Sequence, residues 1–174
     1  MMEDNDAKTT YYHYKLIKKV NINRPMLWSY LSLPVIMLIF LMFALHWTSL
    51  FLLALALPVM MWTHFVIIRS FLVIKGSHLR KRWSYNWRLP WQGYMPEQYV
   101  GYSTFSAIQF HVMWIGFCFT IVFLFFSPPA FTFSLLFWHI WLAVPRLWTL
   151  YLLKRERKDG MIKFNKQDVS YYQQ

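Results

Sequence analysis

Two long apolar tracts dominate the chain, and clusters of basic residues separate them. Between Met26 and Ile74 the only charged or imidazole side chains are His46, His64 and Arg69. Between Ser103 and Leu153 they are His111, His139 and Arg146. One bilayer crossing takes about 20 apolar residues, so each tract has the length of a helical hairpin. The runs are continuous rather than alternating, which fits helices and not a lipid-facing barrel. The pattern predicts helices over roughly Pro25–Leu45, Leu50–Ile74, Ser103–Phe126 and Ala130–Leu153. Pro25 suits a helix start, where the missing N–H has no intrahelical partner to lose. Ser127-Pro128-Pro129 breaks the second tract, whereas the turn at His46–Ser49 contains neither Gly nor Pro. Pro145, inside the last helix, should kink it and free a carbonyl one turn earlier, near Trp141. The pentads Leu33–Met37 and Leu57–Met61 share Leu-Pro-Val-x-Met, and no function is read from them.

The expected fold is an all-α integral membrane protein with four transmembrane helices arranged as two hairpins. Its parts are a basic cytosolic arm (1–24), hairpins at 25–74 and 103–153, a Trp/Arg-rich cytosolic loop (75–102) and a cytosolic tail (154–174). Composition agrees: the 174 residues are 57% hydrophobic and 21% aromatic, more than a soluble domain could cover. The net charge of +11 would suggest a nucleic-acid binder in a soluble protein. Topology accounts for it here. The lysines and arginines gather in the arm, the central loop and the tail, and the two outer turns hold none. The positive-inside rule then puts both termini and the central loop in the cytosol, with the chain multi-pass in the plasma membrane. The lone cysteine, Cys118, lies in an apolar stretch and reads as a small buried hydrophobe.

Three segments between and beside the helices have alternative readings. In the arm, Tyr11, Tyr12, Tyr14, Leu16, Ile17 and Val20 alternate with Lys15, Lys18 and Lys19. This is an interfacial amphipathic stretch or a plain charged flank, and the flank is favoured. In the central loop Gly76, Pro90, Gly93, Pro96 and Gly101 argue against one long helix. Its run from Arg80 to Trp91 interleaves cations with aromatics. That composition suits single-strand stacking or a membrane-interface belt. Position between two crossings favours the belt, so direct DNA contact is not favoured. In the tail, Asp159-Gly160 signals either a tight hairpin turn or a helix cap.

Candidate chemistry is sparse. Counted from the helix ends, His64 and His111 lie at one depth on facing helices, a geometry that could ligate haem iron. His139 counts to a different level, which leaves no second ligand pair. Interhelical hydrogen bonding is the favoured role of these histidines, and no cofactor or metal is expected. Arg146 is an intramembrane cation with no helical carboxylate to meet it. It could bond the carbonyl freed by Pro145, snorkel to lipid phosphates, or meet another subunit, and snorkelling is favoured. Arg69, nearer the interface, should snorkel too. No carboxylate lies in any helix, which argues against a proton-coupled transporter. Phosphate-loop, metal-cluster and nucleophile motifs are missing from the sequence, so an enzyme is not expected. A candidate docking surface remains in the tail. The cations Lys154, Arg155, Arg157 and Lys158 are followed by Asp159, Gly160, Met161, Ile162 and Phe164, an apolar contact beside a charge.

The arm motif Tyr11-Tyr12-His13-Tyr14-Lys15, the pair Leu33-Pro34, the basic run ending in Asp159-Gly160 and the closing Tyr171-Tyr172 carry a resemblance. The chain resembles the TcpE-type membrane proteins of Gram-positive conjugative elements. The resemblance implies a non-enzymatic subunit of a type IV secretion-like DNA transfer machine. It further implies a cytosolic transfer ATPase and other channel subunits as partners, with the protein oligomeric in a complex beside anionic lipid headgroups. The alternative from the residues is a small haem- or quinone-binding electron-transfer protein using His64 and His111. A third is a membrane chaperone or immunity-like protein.

Overall fold

A computed structural model describes residues 15–76, 80–156, 159–165 and 168–173. Four helices carry the fold: α1 (Arg24–Ala44), α2 (Ser49–Lys75), α3 (Tyr102–Phe126) and α4 (Pro129–Leu153). Each bound lies within one residue of the apolar tracts that predict it. All four are long and apolar enough to cross a membrane, as in a multi-pass membrane protein. Their outward side chains are what lipid would solvate: Phe43, Phe125 and Phe126 are 89%, 75% and 84% exposed.

The helices differ in length, and that difference shapes the molecule. α1 has 21 residues, about 31 Å, close to one hydrocarbon thickness. α2 has 27 residues and α3 and α4 have 25 each, roughly 37–40 Å. Tyr30 of α1 stacks on Trp141 of α4 with ring centroids 4.3 Å apart. From that level the two helices run in opposite directions, so Arg146 of α4 lies level with Arg24, the first residue of α1. Beyond that level α4 continues for almost two more turns, and these form part of a cap.

The cap contains β structure, which corrects the all-α expectation. Strands β1 (Lys15–Asn21), β4 (Val100–Gly101), β5 (Met161–Phe164) and β6 (Asp168–Gln173) form one antiparallel sheet in the order β1-β6-β5-β4. Strands β2 (Trp83–Asn86) and β3 (Gly93–Pro96) pair as a separate hairpin. Segments read from sequence as an independent arm, loop and tail are thus built into one unit at the same end of the bundle. The described part of the arm, Lys15–Asn21, is neither a flank nor an interfacial helix. Its alternation is that of a strand, with Val20 facing the cap core and Lys15 and Lys19 outward. Asp159-Gly160 is not a hairpin turn; the hairpin is that of β5 and β6, between which Asn165 N–H donates to Asp168 O at 2.9 Å.

Two apolar cores result. The cap core joins Leu72, Trp83, Trp91, Phe105, Ile108, Leu153, Ile162, Val169 and Tyr171. The second joins Leu41, Leu53, Ala56, Met60, Leu135, Trp138 and Leu142 at the level of the helices alone. Cys118 belongs to neither: it is exposed on the outside of α3, not buried. Its neighbours toward α4, Gly116 and Thr120, take the buried face.

Candidate functional site

The cap surface is basic. Lys15, Lys19, Arg80, Lys81, Arg82, Lys154 and Arg155 are exposed. β1 lies across the end of α4, where Lys18 Nζ donates to the Leu152 carbonyl at 3.0 Å and meets Glu156 at 3.1 Å. Lys19 stands 3.7 Å from Asp168. These contacts bring the cations of β1 and those of the α4 end onto one surface.

The structure divides the proposed tail site. Lys154, Arg155 and Asp159 are exposed. Arg157 and Lys158 lie outside the described residues, as do Tyr11, Tyr12, His13 and Tyr14 of the arm. Ile162 is fully buried in the cap core, and Met161 and Phe164 are half-buried, Phe164 packed on Trp91 and Phe105. The apolar residues expected to hold a partner therefore hold the cap instead. They occupy β5, an inner strand with both edges paired, so one face must be covered. Gly160 is buried as well. Its N–H donates to the Tyr171 hydroxyl at 3.1 Å and its carbonyl accepts from Tyr102 N–H at 2.9 Å. A Cβ there would run into the Tyr171 ring, so the position needs glycine for close approach. Burial pushes the Tyr171 phenol above its ordinary value, and that of Tyr85 likewise.

The central loop is also not the expected interface belt. Trp83 and Trp91 are 7% and 1% exposed, inside the cap core, and only Trp87 at 68% faces outward. Tyr94 packs edge-on against Phe65 of α2.

Buried polar side chains also lie among the helices, and here the histidine pairing differs from the sequence reading. His64 meets His139, not His111, with Nε2 to Nδ1 at 2.8 Å. His139 Nε2 lies 3.2 Å from the Met113 carbonyl, which can only accept. His139 is thus protonated at Nε2, its Nδ1 accepts, and His64 donates from its own Nε2. His111 is exposed and bonds the Ala107 carbonyl of its own helix at 2.7 Å. Counting from helix ends failed because the ends of neighbouring helices do not lie at one depth: His111 meets the Phe71 ring, about two turns nearer the cap than His64. His64 lies further along α2 than His139 lies along α4, yet they meet.

Arg146 does not snorkel. It is 1% exposed, and Nη2 donates to the Gln92 carbonyl of the central loop at 2.5 Å. Gly93, with φ of +106°, presses its backbone on this guanidinium: a Cβ would stand 2.6 Å from Nη2. The Trp141 carbonyl, one turn before Pro145, is satisfied by the Tyr30 hydroxyl at 3.0 Å, and Trp141 Nε1 returns a bond to Tyr30 O at 3.1 Å. Among the described residues Arg146 Nε and Nη1 and His64 Nδ1 have no partner. Arg69 is exposed on α2, and its guanidinium lies 5.5 Å over the Phe65 ring of its own helix. Sequence reasoning missed the roles of Tyr30, Gln92, Gly93 and Tyr171, although Gly93 stood out as a glycine in a turn-rich run and Tyr171 as part of the closing tyrosine pair.

No three histidine, cysteine or carboxylate side chains converge among the described residues. Comparison with protein-family models, with curated proteins and with solved structures finds no match to this chain.

Proposed function

We propose that the protein is a non-enzymatic membrane subunit that holds a cytosolic partner against the bilayer. In the TcpE-type reading it is part of a type IV secretion-like conjugative DNA transfer machine, and its partner is the transfer ATPase. The observation that carries the proposal is the sheet β1-β6-β5-β4. It locks arm, loop and tail into one folded platform at one end of the helices, where the basic residues gather. The positive-inside rule makes that end cytosolic and puts both termini inside, and in the TcpE-type reading the membrane is the plasma membrane. A rigid basic platform suits a docking role, with charge steering the encounter with an acidic partner. The docking surface is the accessible part of the earlier tail site, Lys154 and Arg155, joined by Lys15 of β1. The buried Ile162 and Gly160 are excluded from it.

The electron-transfer alternative loses its ligand pair, because His64 and His111 are not brought together. The test is charge reversal of Lys15, Lys154 and Arg155 to Glu. All three are exposed, and none takes part in the two ion pairs of the cap. The variant should reach the membrane at normal levels, lose co-purification with the transfer ATPase and lose DNA transfer. Normal transfer by a well-folded variant would sink the docking proposal. Reporter fusions at Gln174 and in the central loop should both read cytosolic.

A further inference from the structure

We infer that the groove between the start of α3 and the end of α4 seats the headgroup of one anionic phospholipid, with Lys154 as its cation. The groove has a volume of about 620 Å³, enough for a group of that size. Two contacts fix how α3 lies along α4. The Tyr102 hydroxyl donates to the Leu150 carbonyl at 3.3 Å, and His139 Nε2 meets the Met113 carbonyl at 3.2 Å. The two helices run in opposite directions, so both contacts put Ser106 level with Arg146. That is also the level of Arg24, the first residue of α1. Since α1 measures one hydrocarbon thickness, headgroups replace hydrocarbon there. The groove straddles this boundary.

The lining changes character at the same level. On the hydrocarbon side it is Ala107 and Phe110, the latter 62% exposed. His111 lies there too, with Nδ1 bonded to the Ala107 carbonyl of its own helix. At the boundary and on the cap side it is Ser106, Ser103 and Lys154. The hydroxyls of Thr120 and Thr149 donate to carbonyls of their own helices. Those of Ser103 and Ser106 have no partner among the described residues, so both are free to donate into the groove. Lys154 is exposed and pairs with no carboxylate among the described residues. Of the nearby carboxylates, Glu156 is taken by Lys18, and Asp159 is not part of the lining. A second cation stands close by: Lys75 Nζ reaches α3 from α2 and donates to the Thr104 hydroxyl at 3.2 Å. A cation and two hydroxyl donors above an apolar slot match a phosphodiester whose acyl chain runs down past Phe110. A zwitterionic headgroup would bring its own cation to a groove whose lining holds no carboxylate, so the fit is to a lipid of net negative charge.

The inference rests on the four helices being membrane spans and not on the docking of a partner, and its test separates the readings. The full chain, with no partner present, is reconstituted in phosphatidylcholine vesicles. These carry a trace of phosphatidylglycerol with a photoactivatable group near the start of one acyl chain, and crosslinks are mapped by mass spectrometry. Labels should concentrate on Ala107, Phe110 and Tyr151. A small excess of unlabelled phosphatidylglycerol should displace them, and added phosphatidylcholine should not. Labels on Trp28, 72% exposed near the start of α1, should respond to neither. Lys154→Gln should cut the groove labels about fivefold, the effect of one cation near an anionic headgroup. Ser106→Ala should act in the same direction. Lys81→Gln, which removes an exposed cap cation outside the groove, should leave the labels unchanged. Equal competition by both lipids, or equal losses in the two lysine variants, would reduce the groove to ordinary surrounding lipid and overturn the inference. Displacement by inorganic phosphate would overturn it in favour of a free anion. Labels absent from Trp28 as well would overturn the membrane reading itself, and the site with it.

Discussion

The cap core and the helix-level core are both closed by large apolar side chains, yet they face opposite surroundings. Around Trp91, Ile162 and Tyr171 the outer surface is lysine and arginine, so burial removes apolar area from water. Around Leu53, Leu135 and Leu142 the outer surface is itself apolar, with Phe51 63% and Leu124 61% exposed. Lipid solvates such side chains as well as the interior does, so packing and hydrogen bonds must distinguish inside from outside. Hydrogen bonds between helices are found there. Trp138 Nε1 donates to the Leu53 carbonyl at 2.8 Å, Tyr30 and Trp141 exchange two bonds, and His64 donates to His139. In the cap, strand pairing does the corresponding work. One chain thus uses two ways of making a core, with Arg146 at the level where they meet.

The largest way to break this contrast is to delete residues 158–174. Read from sequence, that deletion removes no helix, so membrane insertion should be unchanged while docking of the transfer ATPase is lost. The structure adds a consequence for the cap. The deletion takes away β5 and β6, the two inner strands, together with Ile162, Val169 and Tyr171, all fully buried. Each large core side chain lost costs about 2–5 kcal/mol, so the cap should come apart. Limited proteolysis should then cut within β1 and the central loop while the four helices stay protected by detergent or lipid. An undisturbed cap would mean that the sheet contributes little.

A matched pair of core truncations sharpens the comparison. Ile162→Ala should cost about 3–4 kcal/mol, because transfer and cavity terms add in the water-facing cap. Leu135→Ala, equally buried, should cost about 2 kcal/mol, since the transfer term falls away beside lipid. Thermal unfolding in one detergent, followed for both variants, measures the gap. Equal losses would erase the distinction between the cores.

Gly93→Ala probes the seam between them. A positive φ and a Cβ 2.6 Å from Arg146 should together cost about 2–3 kcal/mol. Arg146→Met removes a buried cation that has one hydrogen bond and no ion pair among the described residues, and should be nearly neutral in stability. Combined with Gly93→Ala it should recover part of the loss. Additive losses in the double variant would show that the two do not press on one another.

The smallest effects are local. Tyr30→Phe deletes the bond to the Trp141 carbonyl and should cost about 1 kcal/mol, seen as easier release of α1. Titration to high pH should act on the cap alone. The Tyr171 phenol is raised above 10.0 by burial, so its neutral form stabilises the folded cap fully below that value. That contribution is lost as pH rises through the folded-state value. Cap opening in the alkaline range, with helix packing unchanged, is the expected result, and Tyr171→Phe should weaken the pH dependence of this step, leaving the part due to Tyr85.

The four helices were legible because each tract repeats one message over about 20 residues or more. The same uniformity hid their packing. An apolar run with no clear moment does not say which face meets a neighbour, so Cys118 was read as buried and His64 was matched to His111. Arg146 and the tail failed for another reason. Their placement depends on Gln92, Gly93 and Tyr171, residues far away in sequence whose roles exist only once the chain has closed.

By itself the sequence determined the number, length and polarity of the helices, and the gathering of basic residues in the segments that join at one end. These are properties of contiguous residues, set by length against a bilayer and by the cost of burying charge. Only the tertiary structure decided that arm, loop and tail form one sheet, that His64 pairs with His139, and that Ile162 and Gly160 face inward. Strand pairing, helix register and close approach join residues as distant as Leu16 and Tyr172. Nothing local fixes such partners: the apolar contacts that select them are non-directional, and their energy is gained only when the whole cap is assembled.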